Sequence, residues 1–234
     1  MNFQDTQLIG VLARAESTVS SLSSLLGGLV EKFAARGYSL YLVGGSVRDA
    51  LLGRLGNDLD FTTPARPEVV KEILDEWAET VWDTGIDFGT VSAAYKGQQI
   101  EITTFRSDSY DGQSRNPEVV YGDTLEGDLV RRDFKANAMA IELLADASFK
   151  FHDPLHGLQD IADRVLDTPD KPEISFHDDP LRMLRAARFA SQLEFRVADR
   201  VVEAMRDMAG EIQRITVERV QVELDKLICG TAPW

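Results

Sequence analysis

Leu42-Val-Gly-Gly-Ser-Val-Arg-Asp-Ala-Leu-Leu-Gly53, followed closely by Asn57-Asp-Leu-Asp-Phe61, decides the fold of this chain. The apolar run at residues 39–43 ends at a Gly-Gly pair, which predicts a buried strand that turns sharply into a helix. Glycines let the backbone approach a ligand closely, and the free N–H groups at a helix start favour phosphate. The turn is therefore a predicted triphosphate site, made of Gly44, Gly45, Ser46 as the expected N-cap and Arg48 as a charged donor.

Two aspartates follow this turn and flank Leu59 in a segment with the pattern of a strand. Because alternate residues of a strand share a face, Asp58 and Asp60 are expected to point the same way. Neighbouring carboxylates repel one another, and a divalent cation between them relieves that repulsion. Magnesium is the predicted ion, since it prefers oxygen ligands and brings phosphate oxygens with it. The alternative is a solvent-facing acidic edge, which the Gly-Gly turn just upstream disfavours.

A third acid is predicted on the following hairpin, in which residues 90–95 and 98–105 flank Lys96-Gly97. Glu101 lies between Ile100 and Ile102 and is expected to face away from that apolar pair. It would complete a catalytic triad with Asp58 and Asp60 around one or two metal ions, which activates an attacking hydroxyl and steadies a leaving pyrophosphate. An ordinary exposed glutamate is an equally good interpretation.

Together these residues resemble the bacterial CCA-adding enzyme and poly(A) polymerase family of class II nucleotidyltransferases. The resemblance continues in order along the chain, so that it extends from about residue 38 to residue 230. Three further segments match family elements: Asp128-Leu-Val-Arg-Arg-Asp-Phe-Lys-Ala-Asn-Ala-Met139, Asp178-Asp-Pro-Leu-Arg-Met-Leu-Arg-Ala-Ala-Arg-Phe189, and Glu218-Arg-Val-Gln-Val-Glu-Leu-Asp-Lys226.

The first of these segments places Arg131 and Arg132 beside Asp133. Two fixed positive charges can hold a triphosphate, while a carboxylate accepts hydrogen bonds from ribose hydroxyls. The resemblance implies that Asp133 distinguishes ribose from deoxyribose and that Asn137 belongs to the same nucleotide site. A surface ion-pair cluster at a helix end is the alternative. Residues 137–141 are expected to start a buried strand.

The second segment predicts a helix with a charged stripe at three-residue spacing, formed by Asp179, Arg182, Arg185 and Arg188. Such a stripe is usually a solvated face. The resemblance implies instead that Asp179 and Arg182 contact the Watson–Crick edge of the incoming base as a protein template, since a carboxylate accepts and a guanidinium donates. Asp178 precedes them where many family members have glutamate. All five residues are candidate nucleotide ligands.

The composition fits a cytoplasmic protein: 234 residues, 44% hydrophobic, with no apolar run long enough to cross a bilayer. The single cysteine, Cys229, is expected to pack near the end of the last helix, and the three histidines show no metal-ligand spacing. The net charge of −14 is unfavourable for holding RNA, because Lys and Arg contacts to phosphate normally supply most of the affinity. The resemblance implies that further body and tail domains, apparently absent from this sequence, grip the tRNA.

The predicted fold is α+β: a polymerase beta-like nucleotidyltransferase head with a mixed sheet at residues 1–174, then an all-helical neck at 175–234. The predicted function is metal-dependent transfer of CMP and AMP from CTP and ATP to the 3′ end of tRNA. Poly(A) synthesis, C-only or A-only addition, and a non-catalytic nucleotide- or RNA-binding module stay open. A P-loop kinase is disfavoured, because no Gly-Lys-Ser/Thr follows the glycines. The sequence leaves the oligomeric state, and whether the chain is a fragment or a naturally short form, undecided.

Overall fold

A computed structural model of the chain describes residues 3–107 and 120–232. The chain divides into two compact units, Met1–Arg131 with Met139–Pro154, and Arg132–Ala138 with Leu155–Trp234. Residues 155–174 therefore group with the C-terminal helices, and not with the N-terminal sheet.

The first unit is a mixed sheet with helices. Its strands within the described residues are β1 (Leu40–Val43), β2 (Asp58–Thr63), β3 (Thr80–Trp82), β4 (Thr90–Tyr95), β5 (Gln98–Thr104), β6 (Arg106–Ser107), β7 (Val120–Tyr121), β8 (Ala140–Leu143) and β9 (Phe149–His152). Its helices there are α1 (Phe3–Ala35), α2 (Gly44–Leu51), α3 (Pro67–Asp75) and α4 (Leu125–Val130).

Seven strands form one sheet in the order β3-β4-β5-β2-β1-β8-β9. The β2 and β5 strands pair in parallel, while the other neighbours pair antiparallel. Alternation along β2 and β5 puts Leu59, Phe61, Ile100 and Ile102 into the core. The opposite face keeps polar side chains at the intervening positions, so the sheet has one apolar face and one open polar face.

The first helix differs from the expectation. A helix is predicted at residues 18–36 with a weak point at Gly27-Gly28, but α1 begins at Phe3 and passes through both glycines without a break. Leu26, Leu29 and Phe33 are fully buried along its length. Tertiary burial of this apolar face outweighs the low helix propensity of glycine, which costs about 1 kcal/mol per residue.

The β4–β5 hairpin forms where the sequence predicts it, whereas α3 is shorter than predicted. The β4 and β5 strands pair antiparallel around Lys96 and Gly97, which both have positive φ, as a tight hairpin turn requires. The sequence predicts a helix at about residues 67–79 with Pro67 at its start. The α3 helix does begin at Pro67, but it ends at Asp75. After it, Trp77 stacks on Tyr95 at a ring-centroid distance of 3.9 Å.

Residues 105–125 are polar and rich in Gly, Asp, Ser and Asn, which predicts a mobile loop beside the active site. The structure has regular elements at both ends of this segment. The β6 and β7 strands pair antiparallel, and α4 begins at Leu125 with Thr124 as its N-cap. The rest of that predicted loop, residues 108–119, lies outside the described part of the chain.

The second unit is mainly helical. Its described elements are α5 (Gly157–Asp163), β10 (Val165–Leu166), α6 (Pro172–Asp178), α7 (Leu181–Leu193), β11 (Arg196–Val197), α8 (Asp199–Asp207) and α9 (Val217–Ile228). The sequence predicts a short strand at Val165-Leu166 and only helices after it. The strand is confirmed as β10, but it pairs in parallel with β11, which interrupts the predicted run of helices. Phe176, Met183, Val201 and Ala204 form one of its apolar clusters. The α+β class is confirmed.

Cys229 follows α9 and is exposed, so its interpretation as a packing residue is wrong. In the described part of the chain, no helix has both the length and the apolar character needed to span a membrane.

Candidate active site

Asp58 and Asp60 lie side by side on the open face of the sheet. Both side chains are exposed, whereas Leu59 between them and Phe61 after them are each 1% exposed. Their common orientation, predicted from the alternation, is confirmed. Within the described residues, no basic side chain forms an ion pair with the Asp58 carboxylate. The exposed Asp58 carboxylate therefore presents oxygen atoms to whatever binds this face.

Glu101 occupies the adjacent position on the neighbouring strand. In the parallel pairing of β2 and β5, Asp60 is the register partner of Glu101, and Asp58 is the partner of Gln99. Register partners point to the same face, and strands lie roughly 4.8 Å apart, so Glu101 is next to Asp60. Its exposure, away from Ile100 and Ile102, is as predicted.

The acidic side chains can supply only some of the ligands of a metal ion, and a bound substrate would supply the others. Among the described residues, no group of three His, Cys, Asp or Glu side chains is arranged to hold a metal ion. The expected triad is therefore not a preformed metal cage. Two adjacent carboxylates without a protein cage fit a divalent cation that is bound by one or two carboxylates together with substrate phosphates and water.

Ser46 connects the Gly-Gly turn to the acidic strand. Its expected role as N-cap is wrong, because α2 already begins at Gly44, which has a φ of +67°, and Val43 occupies the N-cap position. Instead, the Ser46 hydroxyl donates to the Asp58 carbonyl oxygen at 3.3 Å and accepts from the Asp60 amide at 2.9 Å. The start of α2 is thereby fixed beside the two aspartates.

We expect Ser46→Ala to lower the free energy of unfolding by about 1–2 kcal/mol, because it removes one donor and one acceptor from a largely buried position. The measurement is urea unfolding, with Ser24→Ala on the exposed face of α1 as the control. Equal unfolding midpoints for the two variants would show that the Ser46 bridge contributes nothing to the fold.

Arg48 is more constrained than the sequence suggests. Its guanidinium donates to both carboxylate oxygens of Asp49, at 3.0 and 2.9 Å, and the side chain is largely buried. A Cβ added at Gly45 would lie 3.4 Å from the Arg48 Nη2 atom. This distance is an ordinary van der Waals contact, so the guanidinium packs directly beside the first turn of α2.

In the second unit, the three arginines of the predicted stripe lie on α7, but Asp179 does not. Asp179 stands between α6 and α7 in an extended conformation, where its carboxylate accepts from the Leu181 amide at 3.1 Å and from Arg219 at 3.0 Å. The expectation of one helix carrying all four charges is wrong, because Pro180 separates the two helices. Arg182 donates to the Ser175 hydroxyl at 2.9 Å.

Asp133 is buried, and its carboxylate accepts hydrogen bonds from several residues of this unit. One carboxylate oxygen accepts from Asn137 and from the Phe134 amide, both at 2.9 Å, and the other accepts from the Arg185 guanidinium at 2.8 and 2.5 Å. Burial alone would raise the pKa of the Asp133 carboxyl, but the charge of Arg185 and the Asn137 hydrogen bond outweigh it, so that the pKa is lowered. Asp133 is thus held as a carboxylate.

Glu223 of α9, which the sequence patterns do not single out, provides the negative charge beside Arg188 and Arg185 of the stripe. Its carboxylate accepts from Arg188 at 2.5 Å and lies 3.8 Å from Arg185. Burial lowers the pKa of the Arg188 guanidinium, and the Glu223 charge opposes that shift. Arg188 is 8% exposed, so the stripe is partly interior. A buried arginine needs a counter-charge, and this requirement is the signal by which an acidic partner such as Glu223 could have been predicted.

The remaining candidates lie at the ends of short elements. Arg131 follows α4, with its Nε atom 3.4 Å from Asp128, and Arg132 begins the next segment in the second unit. Asn137 lies in a 3-10 turn, so the strand expected from residue 137 begins later, at Ala140. Asp178 is the last residue of α6.

A mixed sheet that carries a Gly-Gly turn and an Asp-x-Asp strand on its open face has the architecture of a nucleotidyltransferase head. The model of the family described as the poly A polymerase head domain matches residues 40–167, and this chain belongs to that family. A second model, described as the probable RNA and SrmB-binding site of polymerase A, matches residues 194–234.

The relatives of this chain include CCA-adding enzymes. That of Listeria monocytogenes is 40% identical over 205 residues, which are 87% of this chain and 50% of the relative. The crystal structure of the Bacillus stearothermophilus CCA-adding enzyme in complex with CTP is 36% identical, with a TM-score of 0.76, and the match covers 89% of this chain and 49% of that one.

A tRNA nucleotidyltransferase complexed with a primer tRNA and an incoming ATP analog is 28% identical, with a TM-score of 0.70, over 89% of this chain and 55% of that one. The present chain thus spans about half the length of the relatives that it matches.

Proposed function

We propose that this chain adds CMP and AMP from CTP and ATP to the 3′ end of tRNA and releases pyrophosphate. The observation that carries the proposal is the Ser46 bridge, which fixes the N-terminal turn of α2 beside the exposed Asp58 and Asp60. A phosphate-binding helix start and a carboxylate pair are thereby adjacent on one sheet face. The relatives named above, with their CTP, ATP-analog and tRNA complexes, support the same assignment.

The proposed cofactor is Mg²⁺, held by Asp58 and Asp60 together with oxygen atoms of the nucleotide. When bound, such an ion neutralises the charge that develops on the transferred phosphoryl group and on the leaving pyrophosphate. The backbone N–H groups at Gly44 and Gly45 would bind the triphosphate, with Ser46 and Arg48 holding this turn in place.

The transfer itself is an in-line displacement at the α-phosphorus of the nucleotide. The 3′ oxygen of the RNA forms a new P–O bond, the bond to the β-phosphate bridging oxygen breaks, and the hydroxyl proton leaves the attacking oxygen. Glu101, adjacent to Asp60, is proposed to orient the attacking hydroxyl and to lie on the path of its proton.

The second unit is proposed to select the nucleotide. Asp179 and Arg182 would contact the base edge, with Asp178 beside them, while Asn137, Arg131 and Arg132 would serve the sugar and the phosphates. Asp133, Arg185 and Arg188 already form protein hydrogen bonds through their charged groups. For these three we propose that nucleotide contacts are added to, or exchanged with, the existing bonds.

The functional division into a head at residues 1–174 and a neck at 175–234 stays part of the proposal, although the compact units meet at Pro154–Leu155. The cytoplasm, where tRNA ends would be the substrate, is the proposed location. Neither statement affects the assignment of the site residues.

Product length separates the proposed function from its alternatives. The assay contains the purified chain, Mg²⁺ and labelled CTP or ATP, with tRNA transcripts that end before CCA, after C or after CC. CCA addition extends each transcript to one common end. Unlimited A addition would indicate poly(A) synthesis, and a single C or A would indicate a partial enzyme. No extension, despite nucleotide binding, would indicate a non-catalytic module.

We expect Arg182→Ala to impair the choice among nucleotides more than triphosphate binding, because its proposed contacts go to the base edge. UTP and GTP should then be incorporated about 10-fold more often relative to CTP and ATP, since one good base contact contributes roughly 1–3 kcal/mol of discrimination. Competition between labelled nucleotides measures this ratio, with Arg206→Ala on the exposed face of α8 as the control. An equal loss for all four nucleotides would make Arg182 a phosphate or structural residue.

A further inference from the structure

An exposed tryptophan lies on the same row of the sheet as the acidic residues. Trp82 of β3 is the register partner of Ser92 on β4, Ser92 is the partner of Glu101 on β5, and Glu101 is the partner of Asp60 on β2. Register partners share a face, so all four side chains point to the open face. With a strand spacing of about 4.8 Å, Trp82 lies roughly 14 Å from Asp60 along this row.

The exposure of Trp82 is unusual for its size. Its side chain is 44% exposed, although a buried tryptophan would contribute far more to stability, and it stands on the edge strand of the sheet. Its neighbour along the row, Ser92, has a small side chain. An exposed aromatic ring therefore lies on the same sheet face as the exposed Asp60 and Glu101.

The geometry of the reaction assigns a side of the sheet to each substrate. The turn that would hold the leaving pyrophosphate follows β1 and is bonded through Ser46 to β2. In an in-line displacement, the attacking oxygen lies opposite the leaving group. Because β1 and β5 flank β2 on opposite sides, this arrangement favours an approach of the RNA from the side of β5, β4 and β3, where Trp82 lies.

We propose that Trp82 is a stacking platform for an unpaired base near the 3′ end of the RNA acceptor. This inference rests on the proposed function, because it uses the attack direction at Asp58 and Asp60. An aromatic ring stacks on any base and needs no phosphate contact, which suits a face whose charged groups are mainly carboxylates. Trp82 is therefore a positioning residue for the acceptor and has no part in holding the nucleotide.

The test compares wild type, Trp82→Ala and Trp82→Phe, with Leu12→Ala as a control for an exposed apolar side chain on α1. The probe is a tRNA transcript that lacks its CCA end. For Trp82→Ala, we expect the Kd for this RNA to rise about 5- to 100-fold, as loss of one base stack predicts, with Trp82→Phe in between. The KM for CTP should not change, and thermal unfolding of all variants should match wild type.

Tryptophan fluorescence gives a second readout that does not depend on turnover. The RNA should quench wild-type emission, and this quenching should be largely lost in Trp82→Phe, which keeps the other two tryptophans. Equal RNA affinity and equal quenching in wild type and the Trp82 variants would overturn the inference. A Trp82→Ala protein with unchanged RNA affinity but altered native mass would assign this side chain to a protein contact and also overturn it.

The same experiment separates the inference from the proposed function. If wild type transfers CMP but the Trp82 variants bind RNA equally well, the stacking role fails and the function stands. If wild type binds RNA through Trp82 but transfers nothing, the stacking role is supported and the proposed function fails.

Discussion

Asp58→Ala and Asp60→Ala will each abolish nucleotide transfer while the protein remains folded. Each substitution removes one of two adjacent carboxylates that would hold the metal ion at the transferred phosphoryl group. The expected loss is at least several kcal/mol of transition-state stabilisation, a rate decrease of roughly a thousandfold or more. Single-turnover incorporation of labelled CMP measures the rate.

Asp87→Ala, at an exposed acid of the same unit, is the matched control and should retain the wild-type rate. Thermal unfolding without metal should give equal or higher midpoints for the two site variants, because the repulsion between neighbouring carboxylates is reduced. Wild-type turnover in either site variant would remove this strand from the mechanism.

Asp133→Ala will cause the largest loss of stability among the predicted variants. It leaves the Arg185 guanidinium, and the buried Asn137 amide and Phe134 N–H, without the carboxylate that accepts their hydrogen bonds. Removing one partner of such a pair should lower the free energy of unfolding by about 3 kcal/mol. Urea unfolding measures it, with Asp207→Ala on an exposed position of α8 as the control.

The effect should also depend on pH. Because the folded-state pKa of Asp133 is lowered, its stabilisation is fully present above the pKa of the unfolded carboxyl, about 3.9, and is lost as the pH falls through the folded value. The difference between wild type and Asp133→Ala should therefore shrink below about pH 4. A difference that stays constant from pH 7 to pH 3 would contradict the ion pair as its source.

The acidic strand and its neighbours could be predicted because period-two alternation is a local property. The positions of Asp58, Asp60 and Glu101 follow from which residues between them are apolar, and the Lys96-Gly97 turn fixes the hairpin. The alternation does not predict the order in which the strands pair in the sheet. Only the parallel pairing of β2 with β5 makes Glu101 the neighbour of Asp60, and that pairing joins residues about forty positions apart.

The cap expected at Ser46 and the unrecognised partner of Arg188 share one cause. Serine before a helix and charges at three-residue spacing are good local signals, but the partners of these two side chains lie far along the chain. Ser46 bonds to the backbone of β2, and Arg188 pairs with Glu223, which is 35 residues further along the chain. A sequence pattern shows that a charge exists but does not show which residue neutralises it.

The most direct test of the account measures both products of the reaction in one tube. Purified protein, Mg²⁺, labelled CTP and a tRNA transcript that ends before CCA are incubated, and incorporated CMP and released pyrophosphate are counted together. The account predicts equal amounts of both products from wild type and neither from Asp58→Ala. Nucleotide binding without either product, or equal production by Asp58→Ala, would contradict it.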